Sequence, residues 1–255
     1  MMHRGDAGNI GSRDSLLTST WGTRSVCQAC SPRLARRALL GGLAAAFAMP
    51  AFAADHQPAN AISGAAALRR LVEGNTRYAS NTADLHDFDA GRVARSHAQY
   101  PIAAILSCAD SRVGPEFIFA QGPGELFVVR IAGNVLTEYG TASLEYATEV
   151  LGVPLILVLG HSGCGAVASA IKAAADSTKL PGHLPALIAK IAPAVTATQS
   201  APAADRLSAA IAENVRLTVQ QTSATTPLLS AAVASGKVKV AGGVYDIATG
   251  KVHLL

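Results

Sequence analysis

Cys108, Asp110 and Arg112 stand two residues apart where an apolar run ends, in the stretch "AAILSCADSRVGPE" of residues 103–116. An extended chain sends alternate side chains to one face. A strand that keeps its geometry past its end therefore projects all three into one space. A thiol, a carboxylate and a guanidinium are costly to bury together unless they pair or bind something. A second stretch, "LILVLGHSGCGAV" at residues 155–167, ends another apolar run in His161 and Cys164. The H-x-x-C spacing on a tight turn lets an imidazole and a thiolate reach one ion. A helix beginning there favours the thiolate form of Cys164.

Two cysteines and one histidine are the soft and borderline donors that zinc prefers. The fourth position is open to Asp110 or to water. Arg112 can form a two-pronged pair with Asp110 and hold it off the metal, leaving that position to water, as a catalytic zinc requires. Alone, a C-x-D more often marks a buried free cysteine, and an H-x-x-C a satisfied core histidine. Joined at two strand ends, they make one constellation. A Cys108–Cys164 disulfide, the alternative for an exported chain, leaves Asp110, Arg112 and His161 without a role.

The elements that must position these residues are legible as patterns. Residues 64–80 have helical apolar spacing through Leu68, Leu71 and Val72, and a polar connection follows over 81–100. Apolar runs of strand length occupy 101–107, 126–132 and 155–160, the last two separated by the helical pattern "TASLEYATEVLG". Continuous apolar strands alternating with helices predict an α/β fold with a mainly parallel sheet covered on both faces. Ligands of such sheets bind outside the carboxyl ends of the strands, where Cys108 and His161 both fall. Residues 164–175 predict a helix of small residues. Weaker helical patterns cover 184–192, 204–221 and 225–235, and the Ala/Pro/Thr-rich 192–204 reads as a loop. The chain closes with a strand, a turn around Thr249-Gly250 and a short returning strand.

Residues 1–53 read as a leader and 54–255 as a single catalytic domain. Arg36 and Arg37 precede an apolar stretch of small residues from Ala38 and an A-x-A site at Ala51–Ala53. That is the layout of an export signal, too short for a comfortable membrane span. The paired arginines suggest the twin-arginine route, cleavage after Ala53 and a periplasmic destination, with no stable membrane span afterwards. Six arginines and two aspartates lie in the leader, which leaves 15 basic against 15 acidic residues beyond it. The chain's positive charge is thus no argument for nucleic acid. Cys27 and Cys30 form a C-x-x-C ahead of the export signal, outside any βαβ context, and read as incidental.

"CADSR" and "GHSGCG", with "PGELFVVRIAGN" between them, "LVEGNTRY" upstream and "GGVYDIATGKV" at the end, resemble the β-class carbonic anhydrases, in family order from about residue 64 to 255. The resemblance implies reversible zinc-dependent hydration of carbon dioxide to bicarbonate and a proton. By position, Cys108, His161 and Cys164 become ligands of one zinc per subunit. Asp110 and Arg112 become a dyad that orients a zinc-hydroxide nucleophile, Asp110 also being an alternative fourth ligand in a closed state. Gln99 matches a substrate-orienting glutamine, Phe127 and Tyr146 match apolar pocket walls, and Gly165 lies beside the metal at a helix start. From the residues alone, Phe127 and Tyr146 read as core packing, and His86, His97 and His183 as surface histidines. Ile105 stands where some members carry a tryptophan of an inhibitory bicarbonate site, which argues against such a site here. Family members are built on dimers with pockets at the subunit interface, so the resemblance implies a homodimer or dimer of dimers, with helix 64–80 as the arm on the partner. Two other readings use the same residues: a hydrolase acting on sulfur analogues of carbon dioxide, and a zinc-stabilised module without catalysis.

Overall fold

The structure, a computed structural model, describes residues 60–83, 89, 91–176 and 180–255. The leader readings at Cys27, Cys30, Arg36, Arg37 and Ala51–Ala53 lie outside the described residues, as does His86. Five strands form one sheet: β1 (Ala103–Ser107), β2 (Leu126–Arg130), β3 (Leu155–His161), β4 (Lys239–Tyr245) and β5 (Val252–Leu254). Their order is β2-β1-β3-β4-β5, parallel throughout except for the returning β5. The helices are α1 (Gly64–Ala79), α2 (Arg92–His97), α3 (Pro115–Ile118), α4 (Glu138–Glu145), α5 (Gly165–Asp176), α6 (Leu184–Ala197), α7 (Arg206–Ala224) and α8 (Leu228–Ala234). Among the described residues no helix is long and apolar enough to cross a membrane.

Every residue of β1 and β3 is buried, which is why both read as unbroken apolar runs. Alternation along the strands sorts their side chains to two faces. Ala103, Ile105, Leu155, Leu157 and Leu159 share a core with Ala67 and Leu71 of α1 and Ile118 of α3. Ala104, Leu106, Ile156 and Val158 share another with Leu144 of α4, Val215 of α7 and Leu229 of α8. A third cluster, under α5, α6 and α7, contains Cys108 and Cys164. The sheet is the α/β architecture that the patterns predict.

Three boundaries differ from the sequence reading, each for a physical reason. The loop read over 192–204 is helical as far as Ala197. The apolar stripe Ile188, Ile191, Ala194 and Val195 stays buried past Pro193, and that burial outweighs the missing proline N–H. The helix read from Thr141 starts earlier, at Glu138, because the Thr137 hydroxyl caps it by accepting the Gly140 N–H at 3.2 Å. It then widens into a π-turn over Tyr146–Val150. The strand read through Ala132 stops at Arg130, and Ala132–Asn134 form a tight turn instead.

α1 locks both loops at the carboxyl edge of the sheet. The Ser63 hydroxyl caps it, and its buried face presents Ala67, Leu71, Gly74 and Asn75. The Asn75 amide donates to Ile118 O and Gly250 O at 3.1 and 2.9 Å, and its oxygen accepts the Val252 N–H at 2.8 Å. Gly74 lets the helix approach this closely: a Cβ there would lie 1.8 Å from the backbone oxygen of Phe119. Alanine would gain about 1 kcal/mol of helix propensity, but a backbone oxygen cannot rotate away, and forced separation costs about 3 kcal/mol. We therefore expect Gly74→Ala to lower the unfolding free energy by about 2 kcal/mol in urea titration; a stability equal to or above that of the unaltered protein would refute the close approach.

Candidate metal centre

The register of β1 on β3 pairs Ser107 with Leu159, so Cys108 just past β1 and His161 at the last position of β3 emerge at the same edge of the sheet. β3 then turns through Gly163, at φ +67°, and delivers Cys164 immediately before α5. One ligand atom from each of Cys108, His161 and Cys164 lies within 4.8 Å of the others, and all three residues are buried. The backbone aims each donor. The ring of His161 is held through Nδ1, which donates to Ser162 O at 3.0 Å. Its Nε2 is buried with no hydrogen-bond partner, a lone pair facing the two sulfurs. Ser162 is itself fixed by β4, its N–H donating to Tyr245 O at 2.8 Å and its hydroxyl accepting the Ile247 N–H at 3.0 Å.

Electrostatics make this a site for a cation. The Cys164 thiol beside it draws Cys108 down to about 4, against the opposing effect of burial and with help from His161 and the Gly133 N–H. Cys164 is pushed up by the Cys108 thiolate and by burial, although the Ala166 and Val167 amides at the start of α5 favour its charged form. Burial pulls His161 down, but the charge of Cys108, the Ser162 carbonyl and Asp110 together raise it. Two cysteine sulfurs and an imidazole nitrogen without a hydrogen-bond partner, enclosed together, fit zinc.

Asp110 and Arg112 stand beside this cluster. Arg112 donates from its backbone N and Nε to Asp110 Oδ1 at 3.0 and 2.9 Å, and from Nη2 to Oδ2 at 2.8 Å. These hydrogen bonds hold the Asp110 carboxyl well below the usual carboxylate range. Asp110 Oδ2 lies 3.8 Å from His161 Nε2. From the neighbouring strand end, Arg130 clamps the loop backbone, donating to Cys108 O at 3.2 Å and Asp110 O at 2.6 Å. Gly133 donates its N–H to Cys108 Sγ at 3.2 Å. Neither Arg130 nor Gly133 stands out in the sequence: the strand reading ran through Arg130 and stopped at Ala132, just before Gly133.

The other candidate residues divide. Gly165 opens α5 directly after Cys164, and a Cβ there would meet nothing within 4 Å, so the backbone faces open space. Gln99, Phe127 and Tyr146 do not join the cluster within this chain. Phe127 pairs with Ala104, three residues before the Ser107–Arg130 pair, which puts it about 10 Å back along the strands. It is half-buried against the core, with the Tyr146 ring 6.3 Å away. Gln99 precedes β1 and is exposed in a cleft with His97, Tyr100, Pro123 and Glu125. His97 and His183 are exposed.

The carbonic anhydrase family model matches residues 103–252. A carbonic anhydrase of Mycolicibacterium smegmatis is 35% identical over 191 residues, 74% of this chain and 92% of that protein. One from Pseudomonas aeruginosa is 41% identical over 165 residues, 62% of this chain and 74% of that protein. Among solved structures, the Coccomyxa β-carbonic anhydrase in complex with acetazolamide is 30% identical with a TM-score of 0.59, covering 74% of this chain and 86% of that one.

Proposed function

The chain belongs to the carbonic anhydrase family, in its β class, and is a carbonate dehydratase; from that premise we propose that Cys108, His161 and Cys164 hold one zinc per subunit and that Asp110 and Arg112 orient the attacking water. The observation that carries the reading is the two-pronged Asp110–Arg112 pair next to three enclosed donors. Zinc in an unrelated three-histidine site lowers the pKa of its water to about 7, and zinc held by Cys108, His161 and Cys164 would supply the same acidification. The remaining work belongs to the chain. Arg112 engages both carboxylate oxygens of Asp110 and so fixes the carboxylate beside the donor cluster, with Oδ2 3.8 Å from His161 Nε2. Held low in pKa, Asp110 stays anionic across the neutral range and can only accept, which fixes the orientation of a water hydrogen bonded to it. Gly165 leaves room for carbon dioxide at the helix start.

Gln99, Phe127 and Tyr146 enter the same reading through a second copy of the chain. Gln99 and Tyr146 are exposed, as are the neighbouring Val93 and Tyr100, a polar and apolar surface fit to close over another subunit's metal centre. The active form is then a homodimer or a dimer of dimers. The leader, with Arg36, Arg37 and the A-x-A site, directs export to the periplasm by the twin-arginine route. That route passes folded protein, so zinc is loaded before Cys108 and Cys164 meet an oxidising compartment.

Stopped-flow measurement on the zinc-loaded protein should show rapid hydration of carbon dioxide, and Arg112→Ala should lower kcat by about 10²-fold with zinc retained. No hydration by fully loaded unaltered protein, from weakly acidic to weakly alkaline pH, would overturn the reading. Mixing tests the shared pocket: Gln99→Ala and Cys108→Ser subunits, each inactive alone, should regain activity as hybrids, because one hybrid site is then intact. Absence of recovery in verified hybrids would place Gln99 in its own subunit's site or in none. For export, sequencing the amino terminus of protein recovered from the periplasm should read from Ala54; cytosolic protein retaining Ala38–Ala53 would refute it.

A further inference from the structure

α7 carries an amide in the middle of its apolar face. Its buried residues are Ala210, Ile211, Asn214, Val215, Thr218 and Thr222, and Asn214 is only 3% exposed. Burying such a group without a partner costs about 1–3 kcal/mol. Asn214 has one: its Nδ2 donates to Gly133 O at 2.8 Å. The next link leads to the metal centre, since the N–H of the same Gly133 donates to Cys108 Sγ at 3.2 Å.

The turn between these two bonds is held under constraint. Gly133 has φ +71° and ψ +17°, and Asn134 follows at φ +46°, a left-handed conformation that costs a residue other than glycine on the order of 1 kcal/mol. A Cβ on Gly133 would lie 2.7 Å from Ile191 Cδ1 and 3.3 Å from Ala166 Cβ, so the turn rests directly on α6 and α5. Glycine is nonetheless the residue whose flanking peptides rotate most freely, and a bond to sulfur is a weak tether.

We infer that Asn214 is a positioning residue of the metal centre: its amide grips the Gly133 carbonyl and keeps the Gly133 N–H pointed at the Cys108 sulfur. This rests on Cys108 being a metal ligand, as proposed above. An N–H directed at a ligand sulfur stabilises its negative charge and tempers its donation to the metal. Partners of this outer kind typically alter metal affinity by 10–100-fold when removed. The grip also explains why an asparagine sits on the buried face of α7.

The test uses the full chain loaded with NMR-active cadmium in place of zinc. In the unaltered protein the Gly133 amide proton should show scalar coupling to the metal through the sulfur. The Asn214 side-chain nitrogen should couple to the Gly133 carbonyl carbon. Asn214→Leu removes the donor, and Asn214→Asp replaces it at nearly equal size with an acceptor. In both, the metal coupling of Gly133 should vanish and cadmium affinity should fall 10–100-fold while all three ligands stay bound. A folded variant that loses stability in urea but keeps the Gly133 coupling would show a merely structural asparagine and overturn the inference. If neither variant folds, the two couplings in the unaltered protein decide, and the absence of either refutes it. Failure of the unaltered protein to take up cadmium or zinc at all would instead remove the metal reading on which the inference stands.

Discussion

Two sulfurs and an imidazole nitrogen within 4.8 Å of one another, all buried, cannot remain together as an uncompensated negative site. Either they share protons or they enclose a cation. The rest of the structure is arranged around that requirement. β1 and β3 are parallel, and β3 runs two residues past the Ser107–Leu159 pair, so one candidate ligand comes from each strand end and the third from the turn before α5. The peptide groups around the cluster add positive ends of dipoles: the first-turn amides of α5 at Cys164 and the Gly133 N–H at Cys108. His161 turns its only unpartnered nitrogen inward because the other is occupied by Ser162. Each of these details is unfavourable or idle by itself, and each becomes favourable once a divalent cation is present.

The same requirement accounts for features far from the cluster. Asn75 on α1 ties down the β4–β5 turn at Gly250 and Val252. β4 in turn holds Ser162 through Tyr245 and Ile247. The helix that covers one face of the sheet is thus linked to His161 through the β4–β5 turn, β4 and Ser162. A ligand set must be stiff to discriminate among metals, and long-range bonds of this kind supply stiffness that loop residues alone lack.

What the sequence disclosed and what it withheld follow from chain separation. The candidate ligands were legible because they sit where apolar runs visibly stop, and Asp110 and Arg112 because they stand two positions apart on an extended chain. The parallel sheet was legible because β1 and β3 are buried on both faces and therefore continuous in composition. Gly133 and Asn214 were not, since their bonds join residues 25 and 81 positions apart, and no local pattern encodes such a meeting. The end of β2 was overrun for a related reason. Ile131 is a good strand residue, and the tight turn that follows, with Gly133 and Asn134 at positive φ, goes with those long-range bonds and not with any local apolar pattern. Pro193 misled in the opposite sense, a local breaker overruled by the burial of Ala194 and Val195.

Strand direction also explains why Gln99 and Phe127 lie away from the donor cluster within one chain. Gln99 precedes β1 and Cys108 follows it, and β1 runs straight and buried between them. Nothing folds the preceding segment back over the carboxyl edge: Gln99 lies instead in a cleft with Pro123 and Glu125, the residues leading into the parallel neighbour β2. Phe127 is held at the same end by its pairing with Ala104. A parallel sheet therefore separates whatever comes before its strands from whatever comes after them by the full strand length. For these residues to serve the metal centre at all, the amino edge of one sheet must approach the carboxyl edge of another. In the proposed enzyme the association of subunits is then part of the active site, and the exposure of Gln99 and Tyr146 in the single chain is the consequence of a fold whose chemistry lies at one edge and whose substrate contacts lie at the other.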